Sequence, residues 1–356
     1  MGDGLKRVNK SGVGFGLCFG VALVSAIAAD AMAQSAPGGS GFYAGKTVSV
    51  FIGATPGGVN DVWARVIARH LPQNLRGAPT AISKNMPGAG GRKLAFYLET
   101  QAPKDGTEFG VVNRSLFTEA LLRTDNQDVV DFSKLTAIGS PGPETLTCVS
   151  WHTAPVQSLD DMKRMPFIIG ATGGGSAAGE VLAANIVNAY LGTQIKAIGG
   201  YPGGSEMSLA MQRGETHGRC AMGWAGIKVS SLAMVESKEM KILLQTALEA
   251  HPDLPHVPVL YDMVRGETEK QALYLLLVDQ KVGRPFIAPP GMPAGRAAEL
   301  RQGFLATLND SAFRAEADKL KLEVDPIPGA EIDAMLARLS QTTPAALAHA
   351  RKVAAY

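Results

Sequence analysis

Residues 51–70 read FIGATPGGVNDVWARVIARH, an apolar strand that runs through Pro56-Gly57-Gly58 into an amphipathic helix. Val59, Trp63, Val66, Ile67 and His70 recur at helical spacing and mark one face of that helix. The preceding residues 47–52 are β-branched and aromatic, as a strand favours. Downstream come a short strand at 80–83, the loop from Asn85 to Gly91, a helix from Arg92 to Gln101, the turn at 103–106 and a strand from Thr107 to Val112. This β-α-β-α-β order predicts a parallel sheet covered by helices on both faces.

The same device returns in the second half. Residues 136–151 are broken by Pro141 and Pro143 and then read TLTCVSW, an extended segment. PFIIG at 166–170 is an apolar strand that enters Gly173-Gly174-Gly175-Ser176, and a helix from Ala177 to Leu191 is stopped by Gly192. A short strand at 196–198, the loop Gly199-Gly200-Tyr201-Pro202-Gly203-Gly204 and a helix capped by Ser205 and closed by Gly214 complete the unit. A helix N-terminus offers unpaired N–H groups and a partial positive charge, and glycine removes the side chain that would hold a ligand off. Such loops lie at the carboxyl ends of strands, where open α/β sheets bind ligands. Two facing domains of this kind predict a seat for a small acid; the plainer reading of any one loop is a tight turn that needs glycine.

Composition narrows the function classes. The 356 residues are 46% hydrophobic and 19% charged with a net charge of +2, a soluble globular balance sufficient for one large or two ordinary domains. Basic residues are scattered singly, so no phosphate-tracking stripe forms and nucleic acid is excluded as a partner. At the start, Lys6, Arg7 and Lys10 precede the apolar run from Gly12 to Ala29 and the Ala31-Met32-Ala33 cleavage pattern. Residues 1–33 therefore read as a secretory signal peptide, and 34–45 as a flexible leader. Leu17 before Cys18 argues against a lipoprotein site. Cys148 and Cys220 remain after export; the sequence leaves open whether they pair.

Enzyme signatures come close and fail. Gly41 to Thr47 has three residues between its glycines where a P-loop has four, and it precedes a strand instead of following one. Gly173, Gly175 and Gly179 echo a dinucleotide fingerprint, yet no acidic residue occurs from Val181 to Gly204 to meet a ribose. Ala178 stands where a G-x-S-x-G elbow needs glycine. His251 and His256 lie in the proline-broken HPDLPH without paired cysteines, so no metal and no cofactor are expected. Trp63 shares the apolar face of its helix and reads as core rather than pocket lining.

VSVFIGATPGGVNDVWARVIARHL with NMPGAGGRKLAFYLETQAPKDGTEFGVV resembles the substrate-binding receptors of tripartite tricarboxylate transporters, the Bug family. IIGATGGGSAAGEVLAANI, GGYPGGSEMSLAMQRGE, HPDLPHVPVLYD and RPFIAPPGMPAGRAAELRQGF follow in the family's order, so the resemblance spans nearly all of the chain after the leader. It implies an α/β, two-lobed periplasmic-binding-protein fold of type II kind, with mixed sheets, helices on both faces and a hinged cleft that closes on a di- or tricarboxylate or an aromatic acid. It further implies a monomer without catalysis that delivers its cargo to membrane subunits of a tripartite transporter. The expected domains are 46–135 with 241–356, and 136–240, crossed at 136–151 and near 241–246.

By match to the family's loops, Thr55, Pro56, Gly57, Gly58, Asn60 and Asp61 form one wall, with Asn85 and the glycines from Gly88 to Gly91 as its floor. Gly173, Gly174, Gly175 and Ser176 form the facing wall, and Tyr201, Pro202 and Gly203 the side. Asp61 reads as a charge at the start of its helix rather than an anion ligand. The chain departs from the family at Pro202, where a lysine is usual, and across 218–224. For Arg219 and Trp224, reaching the cleft to read the far end of the ligand stands beside a surface ion pair or packing. An exported α/β enzyme acting on a carboxylate and a ligand-sensing partner of a signalling protein are the alternatives.

Overall fold

The structure, a computed structural model, describes residue 1 and residues 41–123, 130–172 and 179–355. The expected signal peptide after residue 1, most of the leader and the 173–176 wall lie outside the described residues. Among the described residues no helix is long and apolar enough to cross a membrane.

Two mixed sheets organise residues 42–356. The first contains β1 (Thr47–Ile52), β2 (Thr80–Asn85), β3 (Glu108–Val111), β4 (Thr136–Ser140), β10 (Phe286–Ala288) and β11 (Ile327–Pro328), in the order β11-β4-β10-β3-β1-β2. β1 pairs in parallel with both β2 and β3, whereas β10 runs antiparallel between β3 and β4. The second contains β5 (Leu146–Trp151), β6 (Phe167–Gly170), β7 (Ile195–Ile198), β8 (Gly218–Gly223) and β9 (Met240–Gln245), in the order β7-β6-β8-β5-β9. Each sheet with its helices is called a lobe below.

The apolar run of β1 is explained by burial on both faces. Val48, Val50 and Ile52 pack with Trp63 and Ile67 of helix Val59–His70 and with Phe304 and Phe313. Phe51 points the other way, into a core with Leu94 and Leu98 of helix Arg92–Thr100. Trp63 is a core residue, its ring centroid 6.4 Å from that of Phe313. Val59, read as part of the same apolar face, is exposed because it opens the helix at the sheet edge. The second-lobe helix expected to be capped by Ser205 begins two residues earlier than that cap implies, at Gly204, with Gly203 as its N-cap.

Sheet membership divides the chain at 141–145 and after Gln245, rather than at 136 and 241. β4 belongs to the first sheet because β10 and β11, far along the chain, supply its partners. β9 belongs to the second because it pairs with β5. Gln280 ties the two crossings together: its carbonyl accepts the Glu144 N–H at 2.8 Å, its side-chain oxygen the Leu146 N–H at 3.3 Å, and its amide donates to the Thr246 carbonyl at 2.8 Å. Beside it Glu144 and Arg284 form a buried ion pair. Gly283, at φ 59°, lets the backbone of Gly142 approach so closely that any Cβ would collide with its carbonyl oxygen.

A cluster of buried side chains runs from Leu94 and Phe117 in the first lobe through Leu273 and Leu277 to Ile169 and Val187 in the second. The last helix, Pro344–Ala354, packs on helix Glu267–Leu277 and touches both Leu116–Leu122 and Gly179–Leu191. Arg351 donates to the carbonyls of Leu121 and Leu122, and His349 stacks near Tyr190 at 5.7 Å between centroids.

Candidate ligand site

The C-terminal ends of β1, β2 and β3 release three loops at one edge of the first sheet, as parallel pairing requires. Thr55, Pro56, Gly57 and Gly58 are exposed there, and Asn60 is half-buried. Beneath them Asp61 is only 4% exposed. Its carboxylate accepts the Gly57 N–H at 3.0 Å, two bonds from Arg65 at 2.9 Å and the Asn85 amide at 2.8 Å. Asn85 also donates to the Ala54 carbonyl at 3.0 Å and accepts from Arg65 at 2.8 Å. Asp61 and Asn85 thus spend their polar atoms on shaping the loop. The bonds from Arg65, Gly57 and Asn85 hold the Asp61 carboxyl well below the usual carboxylate range.

A depressed carboxyl pKa contributes stability that is fully present above the unfolded value near pH 4 and lost as pH falls toward the folded one. Asp61→Ala should therefore cost about 1–3 kcal/mol at neutral pH, from charged hydrogen bonds lost at a partly solvated site. It should also flatten the decline in stability below about pH 4. Urea unfolding of both proteins at pH 7 and pH 3 measures this; equal losses at the two pH values would contradict it.

In the second lobe, Tyr201 donates its N–H to the Ala171 carbonyl at 3.2 Å, and its ring lies where a side chain on Gly170 would sit. Pro202 is exposed and Gly203 half-buried. The Thr172 hydroxyl donates to Glu180 at 3.2 Å at the start of helix Gly179–Leu191.

Between the lobes lies a cavity of about 420 Å³. Arg92, Asn113, Arg114 and Glu119 line it from the first lobe, Glu180 and Ala221 from the second, and Thr246, Asp279 and Gln280 from the crossings. Its charges come largely in pairs, Arg92 with Glu119 and Arg114 with Asp279 at 3.4 Å. Burial raises the Asp279 carboxyl, and Arg114 opposes that shift. Ala89 and Ala221, both on the wall, have φ of 45° and 56°, a left-handed conformation that alanine rarely adopts. Backbone strain of this kind concentrates at ligand sites. Thr55 to Asp61, Asn85, Tyr201, Pro202 and Gly203 are not among the residues lining this cavity. Arg92, Arg114 and Asp279 were not legible as site residues, since lone charges after a strand or within a helix carry no spacing signal.

Arg219 and Trp224 part company. Arg219, on β8 two residues before Ala221, is 9% exposed and donates to the Gly204 carbonyl at 3.0 Å and the Ser208 hydroxyl at 2.7 Å. Trp224, 4% exposed, is core and donates its indole N–H to Asp253 at 3.0 Å. It borders a second cavity, of about 610 Å³, with Glu144, His251 and Gln280, and not the first. His251, Asp253 and Glu323 are close enough together to suit a cation. The ammonium of Lys228 already pairs with both carboxylates, at 2.7 Å to Asp253, and supplies that charge. Cys148 and Cys220, left unpaired or paired by the sequence, form a disulfide that joins β5 to β8.

No family model matches the chain, and no curated protein sequence does. Solved structures do. A TctC solute-binding protein from Polaromonas superposes with a TM-score of 0.63 at 17% identity, covering 86% of this chain and 97% of that one. The periplasmic binding protein BugD gives 0.59 at 18% identity over 86% and 97%. MatC from Rhodopseudomonas palustris with bound malate gives 0.56 at 17% identity over 87% and 99%. The chain carries the two-lobed fold of the TctC and Bug periplasmic solute-binding proteins.

Proposed function

We propose that this chain is a periplasmic receptor of the TctC and Bug family that captures a small organic acid between its lobes. The observation that carries this reading is the cavity between the two sheet edges, lined by residues of both lobes and by the crossings. A ligand that bridges both walls stabilises the closed state by as much as it prefers that state over the open one. The Thr55 and Gly58 N–H groups at the rim of the first-lobe loop, which the Gly57–Asp61 bond holds in shape, and the first turns of the second-lobe helices are offered as donors to its carboxylates. Neighbours of the same fold are solute-binding proteins, one with bound malate, which supports a receptor without catalysis. Delivery to membrane subunits of a tripartite transporter and export by the signal peptide complete the reading.

Thermal unfolding of residues 34–356 with mono-, di- and tricarboxylates, aromatic acids and neutral sugars tests it. A ligand at a hundredfold excess over Kd adds about 2.7 kcal/mol. For a unit of this size that raises the midpoint by about 4 °C. A shift confined to acids, with the compound recovered unchanged, is expected together with a smaller radius of gyration. Turnover of the acid, or no shift with any of them, would remove the proposal.

A further inference from the structure

On the wall of the cavity between the lobes, Asp279 and Arg114 have only each other. Arg114 Nε stands 3.4 Å from the Asp279 carboxylate, whose side chain is 14% exposed. That nitrogen is buried and makes no hydrogen bond among the described residues, so the contact is an ion pair without a directed bond. No other side chain pairs with the Asp279 carboxylate, and no other carboxylate with Arg114, among the described residues. Arg114 comes from the loop between β3 and helix Leu116–Leu122, whereas Asp279 opens the short helix Asp279–Val282. The next residue, Gln280, is tied to both crossings, so the pair joins the first lobe to the hinge.

The charges around this pair are otherwise engaged. Glu119 keeps two arginines, Arg92 and, at 3.8 Å, Arg123. Glu180, across the cavity, accepts the Thr172 hydroxyl. Lys281, on the same short helix as Asp279, turns to Glu249 at 2.6 Å. Among the described residues the wall thus sets two arginines against three carboxylates, Glu119, Glu180 and Asp279. An acid entering this space meets an excess of its own sign, and like charges repel strongly where water is scarce. Burial already raises the Asp279 carboxyl, and the charge of Arg114 is what opposes that shift. Once Arg114 turns to another anion, the neutral form of Asp279 is favoured.

From this arrangement we infer that Arg114 leaves Asp279 for an acid group of the cargo, and that Asp279 takes up one proton from solvent as it does so. The cargo brings a negative charge to Arg114, and the proton removes one from Asp279, so the charge of the wall and its contents is unchanged. Asp279 is then a resident acid that the cargo displaces. The inference rests on the receptor reading above and adds a coupled proton to it. Affinity should rise as pH falls between the Asp279 value of the loaded protein and that of the free protein, by up to about tenfold per pH unit, and level off outside that window.

Calorimetric titration with succinate, malate and adipate tests this. Heats measured in phosphate and in Tris, whose ionisation enthalpies differ, give the protons bound per ligand. The wild-type protein should take up close to one proton within the range from about pH 6.5 to about pH 8.5, where these acids are themselves ionised. In Asp279→Asn the uptake and the pH dependence should both vanish, with affinity at the alkaline end raised about tenfold over wild type. Glu180→Gln removes a neighbouring carboxylate and should leave the uptake in place; with the wild-type protein it decides the matter if Asp279→Asn does not fold. Binding without proton uptake, uptake that persists in Asp279→Asn, or uptake lost in Glu180→Gln would overturn the inference while the receptor reading stands. Failure of every carboxylate to bind the wild-type protein would overturn both.

Discussion

Replacing Cys148 and Cys220 together by serine should lower the unfolding free energy by about 4 kcal/mol, the loop-closure value for a bridge across 72 residues. The closed loop contains β6, β7, the helix Gly179–Leu191 and both glycine-rich turns of the second lobe, so the constraint acts on the part of the chain that holds the second wall. The first lobe gains nothing directly from it. Hydrogen exchange should therefore show amides of β5 to β8 opening at lower free energy in the double variant, with β1 to β3 little changed. Denaturant unfolding with and without reductant gives the magnitude. A loss below about 1 kcal/mol would mean that the unbridged chain keeps this loop compact by other means.

Glu144→Ala should be nearly as damaging, because it strands a guanidinium. Arg284 is buried two residues before β10, and its carboxylate partner comes from the crossing segment. Breaking a buried pair by removing one member costs about 3–5 kcal/mol, far more than the pair contributes relative to apolar replacements. Glu144→Leu with Arg284→Met should then recover most of the loss. Chemical denaturation of the single and double variants forms the cycle. If the single variant lost under 1 kcal/mol, water would have to reach Arg284 at the crossing, and the pair would not be the buried clamp described here.

The parts of this fold that repeat a local device were legible in the sequence. β1, β2, β6 and β7 each precede a glycine-rich turn and a helix, and local chemistry sufficed to place them. β4 lies in the 136–151 segment read from sequence only as a crossing, because its pairing is set by β10, which no local pattern announces. The same limit applies to Gln280, whose three bonds to the crossings come from a helix far down the chain. For the site, Asp61 was read both into the first-lobe wall and as a charge at its helix start; its bonds to Gly57 and Asn85 depend on β1 and β2 lying side by side. For Trp224 the sequence left cleft and packing open, because an aromatic after a strand reads the same whether its ring turns to a cleft or, as here, to Asp253.

The order of strands in the first sheet makes it a lever. The crossing leaves from β4, and β1 stands three strands away, with β10 and β3 between. At about 4.8 Å per strand, a turn of about 10° about Gln280 carries the Thr55 loop roughly 2.5 Å but the loop after β3 only two-thirds as far. For the receptor proposed above, that long arm would make the outer loop the part most displaced when a longer acid holds the lobes apart.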